Sequence, residues 1–392
     1  MKKILALILS LVMIVSMFAG CANETAPAGT EAENKSNSEA PSGSKSKGER
    51  YKIGMVFYGT DDAMGKTVYS YINHAAELCD CEVVWTLGDY DSASQLKSAE
   101  NLIAAGVDAL MWLPIDDSAN SQIGALCREN EVYFATMFRD IGDPDIKAAC
   151  EANPYYVANV HEDDEAVAYA LTSQLADAGC KNIGSTEKTA TSGLTFMRFS
   201  GFERCMEDKN MNLVGTFAGS SNGDTQTYIN GMTNLVNVYP DMDGFYMMTG
   251  SLGVGTTIIN TLSGLGEPGF VKIAGFDTYA GMKKDFEDGW LVGMAGGMAP
   301  DALFAFICLY NKLDGTPLSE DIIWLLQKEI IVKSAEECDA YEAYIDKADV
   351  LLYSDDQIKS LIGKFNPDAT LDDVKEMMDL YTIEWVMETQ GK

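Results

Sequence analysis

A short apolar run, Phe270-Val271-Lys272-Ile273-Ala274-Gly275-Phe276, stops abruptly at a carboxylate, Asp277. Such a run suits a strand buried on both faces in a parallel sheet, where ligands bind beyond the carboxyl ends of the strands. Asp277 therefore either faces a ligand or caps a helix expected over Thr278 to Asp288. Other chemistry-bearing patterns fall away on inspection. Gly219-Ser220-Ser221-Asn222-Gly223 matches a nucleophile elbow, but the hydrolase order needs a histidine after the serine, and both histidines, His74 and His161, precede it. Gly250-Ser251-Leu252-Gly253-Val254-Gly255 lacks the lysine of a phosphate loop and the spacing of a dinucleotide fingerprint. His161-Glu162-Asp163-Asp164-Glu165 fits an acidic first helical turn better than a metal site. Cys79-x-Cys81 with two histidines in the whole chain is a poor zinc signature. With no coherent nucleophile, base and orienter, the residues describe a binding protein rather than an enzyme, with no cofactor and no metal.

The elements that position Asp277 alternate. Strands are expected at Ile53 to Phe57, Glu82 to Leu87, Ala109 to Leu113 and Val132 to Met137, with helices between them, then a break from Ile141 to Pro154. A second series has strands at Tyr156 to Val160, Asn182 to Ser185, Leu213 to Ala218, Gly244 to Met248 and the Asp277 strand, followed by Leu291 to Ala295 and a run from Ile322 to Val332. This alternation specifies an α/β fold with parallel sheets, arranged as two Rossmann-like lobes facing across a cleft. Tyr58, Met64, Trp112, Phe138 and Met298 fall near strand ends, where aromatic and thioether groups either pack a core or face a ligand. Beyond Val332, helices are expected at Ser334 to Asp346, Ser354 to Phe365 and Leu371 to Thr389, as a strap across one lobe or a surface for a partner.

A chain of 392 residues, 47% of them hydrophobic, has material for two cores. Its 28 basic against 59 acidic residues, a net charge of −31, argue against nucleic acid or anionic lipid as partner. Lys2 and Lys3 precede an apolar run from Ile4 to Ala19, the n-region and h-region of a secretory signal. It ends Met17-Phe18-Ala19-Gly20-Cys21, which resembles the bacterial lipobox and marks Cys21 for lipidation. Residues 21–50 read as a flexible tether rich in Ala, Ser, Glu, Lys, Gly and Pro. The folded part is thus expected outside the cell membrane, held to it by lipid. The eight remaining cysteines are too scattered for a stapled scaffold, and buried free thiols suit most of them.

From Lys52 to about Val332 the order of motifs resembles the type I periplasmic binding proteins of the ribose and galactose class. The carriers are Ile53-Gly54-Met55-Val56, Ser94-Gln95-Leu96-Lys97 leading to Gly106-Val107-Asp108-Ala109, Leu113-Pro114-Ile115-Asp116, Phe138-Arg139, Arg198-Phe199-Ser200-Gly201-Phe202, Tyr239-Pro240-Asp241 and Gly275-Phe276-Asp277. The resemblance implies two lobes joined by three hinge crossovers that close on a sugar or related solute. By position it implies ligand-binding roles for Arg139 and Asp277, for Asp62 where the family often has asparagine, and for one of Glu162 or Asp163 where it has aspartate. Thr249 and Phe196 stand where sugar binders commonly carry asparagine and arginine, so the pocket is expected to be less polar, leaving a nucleoside-type ligand open. The implied organisation is a signal segment at 1–20, the tether at 21–50, a first lobe at 51–157 and 296–330, a second at 158–295, and a helical extension at 331–392. The implied partners are a small-molecule solute and an ABC permease, with the protein a monomer. Delivery of the closure signal to a membrane kinase or chemoreceptor is the second reading.

Overall fold

The structure is a computed structural model that describes residues 50–88, 91–187, 193–220 and 223–390. The expected signal segment, Cys21 and the tether up to residue 49 lie outside the described residues. The first series is β1 (Lys52–Phe57), α1 (Ala63–Cys79), β2 (Glu82–Leu87), α2 (Ser92–Ala104), β3 (Ala109–Trp112), α3 (Asp117–Glu129), β4 (Tyr133–Met137), α4 (Pro144–Glu151) and β5 (Tyr156–Glu162). The second is α5 (Asp164–Asp177), β6 (Asn182–Thr186), α6 (Gly193–Asp208), β7 (Asn212–Phe217), α7 (Thr225–Val238), β8 (Gly244–Met247), α8 (Val254–Ser263), β9 (Lys272–Phe276), α9 (Met282–Glu287) and β10 (Leu291–Gly296). The tail of the chain is α10 (Pro300–Leu313), β11 (Ile323–Gln327), β12 (Ile330–Val332), α11 (Ala335–Tyr344), α12 (Asp355–Ser360), α13 (Leu371–Asp379) and α14 (Ile383–Gln390).

Among the described residues, six aspartates start helices. Asp62, Asp91, Asp116, Asp143, Asp163 and Asp224 each accept a hydrogen bond from a backbone N–H in the first turn of the helix that follows. A carboxylate there satisfies an orphan donor and complements the positive end of the helix dipole. The expected break at Ile141 to Pro154 holds α4, with Asp143 as cap and Pro144 in its first turn.

Two six-stranded sheets result, ordered β2-β1-β3-β4-β5-β11 and β7-β6-β8-β9-β10-β12, so the second repeats the first. Neighbours are parallel except β12, which runs antiparallel to β10. The chain passes between the sheets after β5, after β10, and between β11 and β12. The expected run from Ile322 to Val332 is thus two strands in different sheets, split at Lys328 and Glu329. Lobe limits move accordingly: residues 158–162 stay in the first sheet, and β12 belongs to the second. The helical extension begins after Val332.

The motif Arg198-Phe199-Ser200-Gly201-Phe202 holds the second lobe together. A Cβ at Gly201 would overlap the carbonyl oxygen of Glu165, so glycine lets α6 lie directly on α5. Phe202 stacks on Tyr246 of β8, with ring centroids 4.6 Å apart. The buried Arg198 guanidinium donates to Asp164 Oδ1 (2.7 Å) and to the Met248 carbonyl (2.9 Å), and lies over the Phe276 ring. One side chain therefore ties α5, α6, β8 and β9 together.

Each crossover also buries an acid: Glu162 at the end of β5, Asp301 in the first turn of α10, and Glu329 between β11 and β12. Burial pushes all three carboxyls well above their ordinary range. The Asp301 charge adds to the effect at Glu162, and the Glu329 charge adds at Asp301. At Glu329, burial raises and Arg198 partly offsets.

The extension is a strap across both lobes, not across one. On the first lobe, His74 Nε2 lies 2.9 Å from Asp355 Oδ1, Lys364 donates to the Cys79 carbonyl (2.7 Å), and Asn311 Nδ2 to the Leu361 carbonyl (2.9 Å). On the second, Lys283 pairs with Asp339 (2.6 Å) and Thr278 donates to Tyr341 Oη (3.1 Å). At the middle crossover, Tyr381 donates to the Gly297 carbonyl (2.6 Å). That inward turn, with Thr382 Oγ1 accepting from the Trp385 N–H, splits the helix expected over Leu371 to Thr389 into α13 and α14. All eight cysteines after Cys21 are buried free thiols.

Two outcomes follow for stability. Arg198→Ala leaves the Asp164 carboxylate buried without its cation and should cost roughly 3–5 kcal/mol in urea unfolding. The crossover acids bind protons in the folded state that the unfolded chain releases above the ordinary values of 4.5 for Glu and 3.8 for Asp. Stability should therefore fall as pH rises from those values towards the raised ones. Glu329→Gln should be more stabilising at pH 8 than at pH 5 in urea midpoints; an equal effect at both would contradict the assignment.

Candidate functional site

A cleft of about 720 Å³ opens at the carboxyl ends of the strands. Five segments line it: the β1–α1 turn with Asp62, Met64 and Lys66, the β8–α8 turn (250–253), the β9–α9 turn (277–282), the middle crossover (296–298), and the strap with Tyr341, Glu342 and residues 345–348.

Asp277 anchors the second-lobe side. Its Oδ2 accepts from the Thr249 hydroxyl (2.7 Å) and from the N–H groups of Gly250 (3.1 Å) and Ser251 (3.2 Å). It does not cap the helix after its own strand: α9 starts only at Met282, with Gly281 at the cap position. Three donors on one carboxylate oxygen are charge-assisted and fix the β8–α8 turn against β9. Gly250 is required there, because a Cβ would fall 2.7 Å from the Asp277 carbonyl oxygen.

Asp277 has φ 66°, and Phe138, at the matching position after β4 in the first sheet, has φ 67°. A left-handed conformation is tolerable for Asp but costly for Phe. Such strain collects where the surroundings over-determine it. On the first-lobe side, Asp62 Oδ1 accepts from the Gly65 N–H (2.7 Å), and the Tyr58 hydroxyl lies 2.8 Å from both carboxylate oxygens.

Of the residues singled out in the sequence, Asp62, Met64, Asp277 and Met298 come together on the cleft wall. Tyr58 and Thr249 join it through their bonds to Asp62 and Asp277. Arg139 is half-buried, with its charge acting on Asp164. Trp112 is fully buried in the first-lobe core, stacked on Phe134 at 5.0 Å, and Phe138 packs inward against Phe57. Glu162 is buried at its crossover, and Phe196 is 58% exposed on α6. His161 Nδ1 is bonded to Asn159, and burial, chiefly, lowers the His161 pKa. No group of His, Cys, Asp or Glu among the described residues is arranged to hold a metal ion.

Sequence reasoning missed Tyr279, Tyr341, Ile345 and Asp346 on the wall. Asp346 sits at φ 51°, with Tyr341 donating to its Oδ2 at 2.5 Å. Burial, then the charges of Asp62 and Asp277, push its carboxyl up to about 6.

Solved structures share this architecture. The chain is similar to a periplasmic solute-binding protein of an ABC transporter from Actinobacillus succinogenes with bound D-allose: 14% identity, TM-score 0.64, 74% of this chain and 100% of that one. It is likewise similar to an ABC transporter solute-binding protein from Bacillus halodurans with bound myo-inositol: 18% identity, TM-score 0.62, 76% and 99%. In sequence it is 22% identical over 232 residues to the D-ribose/D-allose-binding protein of Pseudomonas aeruginosa, covering 59% of this chain and 71% of that one. Residues 53–313, most of the two-lobed body, match the periplasmic binding protein domain, and the chain belongs to that family.

Proposed function

We propose that this chain is an extracytoplasmic solute-binding protein that catches a small, hydroxyl-rich compound between its lobes and presents it to an ABC permease. The observation that carries this reading is the cleft itself, which lies at the carboxyl ends of both sheets with Asp62 on one lobe and Asp277 on the other. A solute held by both lobes stabilises the closed form, and that form is what a permease would recognise. The sugar and cyclitol binders with the same fold support a polyol-type solute. The export signal and Cys21 support a lipid anchor with the tether leading to the lobes, and the acidic surface supports a partner other than nucleic acid. In this reading Asp277 and Asp62 grip hydroxyls, Met64 and Met298 supply apolar contact, and Arg139 stabilises the acids behind the cleft. The protein acts as a monomer and performs no chemistry on its cargo.

A thermal-shift screen of the folded part against sugars, cyclitols, polyols and nucleosides tests this. At a hundredfold excess over Kd a true ligand adds about 2.7 kcal/mol of stability. Asp277→Ala should weaken that ligand by roughly tenfold to a hundredfold, the equivalent of a charge-assisted hydrogen bond at about 1.5–3 kcal/mol. Arg139→Ala should weaken it less. A screen without shifts, or unchanged affinity in Asp277→Ala, would remove the reading.

A further inference from the structure

The strap brings a carboxylate to the cleft from outside the two lobes. Asp346 follows α11 and lines the cavity together with Asp62 of the first lobe and Asp277 of the second. It is held there rather than left loose. Thr278, next to Asp277, donates to Tyr341 Oη, and Tyr341 in turn donates to Asp346 Oδ2. Ile345 is seated at the middle crossover, where a Cβ on Gly297 would come within 2.9 Å of its Cγ2. Asp346 Oδ1 is shut off from solvent and has no hydrogen-bond partner among the described residues. A buried acceptor left unmatched costs free energy that a bound donor recovers.

Carboxylates only accept, so three of them converging on one cavity ask for a guest rich in donors. The cations on the same wall, Lys66 and Lys347, are exposed at its rim. Behind the wall the buried Arg198 guanidinium partly offsets the Asp277 charge but is bonded to Asp164, so the lining carboxylates keep an excess of negative charge. A neutral polyol would satisfy hydrogen bonds but leave that charge in place; an ammonium group would satisfy both.

Resting on the solute-binding reading above, we propose that Asp346 contacts the solute directly and sets specificity, and that the solute is a polyhydroxylated compound carrying an amine, such as an amino sugar or aminocyclitol. The strap is then the third wall of the site, and the two lobes alone make an incomplete one. Burial first, and then the charges of Asp62 and Asp277, raise the Asp346 pKa, and a cationic guest relieves the repulsion among the three.

Titration calorimetry at pH 7.5 with matched pairs tests this: D-glucosamine against D-glucose, D-galactosamine against D-galactose, and an amino-inositol against myo-inositol. For at least one pair the amine member should bind tenfold tighter or more. Asp346→Asn should abolish most of that preference, weakening the amine member at least tenfold more than the neutral member. Tyr341→Phe, which frees Asp346 Oδ2, should reduce the preference without reversing it, and serves if the Asn variant does not fold. Neutral members binding as tightly as their amines, or a preference unchanged in the variants, would overturn the assignment while leaving solute binding intact. No binding by any pair, alongside a screen without shifts, would overturn the solute reading and this inference with it.

Discussion

One carboxylate oxygen of Asp277 receives three hydrogen bonds from Thr249, Gly250 and Ser251, and the geometry of the cleft depends on it. The interaction fixes the turn after β8 to the end of β9, so two adjacent strand ends become a single rigid edge. It works because Asp277 takes a left-handed backbone conformation and because Gly250 has no side chain to strike it. Beneath that edge Arg198 repeats the arrangement with opposite sign, bonding Asp164 and the Met248 carbonyl while lying on Phe276. The other oxygen of Asp277 accepts no hydrogen bond among the described residues.

The strap changes what lobe movement means in this protein. Its start, α11, is attached to the second lobe through Lys283–Asp339 and Thr278–Tyr341, and α12 and the turn after it are attached to the first through His74–Asp355 and Lys364. The surface ion pairs hold little energy, since exposed pairs contribute about 0–1 kcal/mol. The buried bond from Tyr381 to Gly297 lies on the middle crossover itself. The residues between α11 and α12, which include Asp346, thus pass from one lobe to the other. Opening of the lobes would draw Asp346 away from at least one of its two carboxylate neighbours, so closure and the completion of the third wall are one event.

The strand and helix alternation was legible in the sequence because continuous apolar runs and polar helix faces repeat with different periods. So was the strand end at Asp277, where an apolar run meets a carboxylate. Helix α4 was overlooked although Asp143-Pro144 is a cap followed by a first-turn proline, a local signal that was available. Other failures had no local signal. Trp112 ends β3, but the alternation of side chains across the sheet turns it into the helix layer and away from the cleft. The run from Ile322 to Val332 looks continuous, yet Lys328 and Glu329 carry it from one sheet to the other, a choice made by tertiary packing. Nothing in the amphipathic pattern of residues 334–390 states which surface their apolar stripe covers, and so the wall residues Tyr341 and Asp346 could not be foreseen.

The most direct test of the account is a crystal structure of the protein with the tightest-binding compound from calorimetry. Density for the compound should lie in the cleft between the lobes, with a donor within about 3.2 Å of an Asp277 carboxylate oxygen. A compound bound elsewhere, with the cleft holding only water, would contradict it.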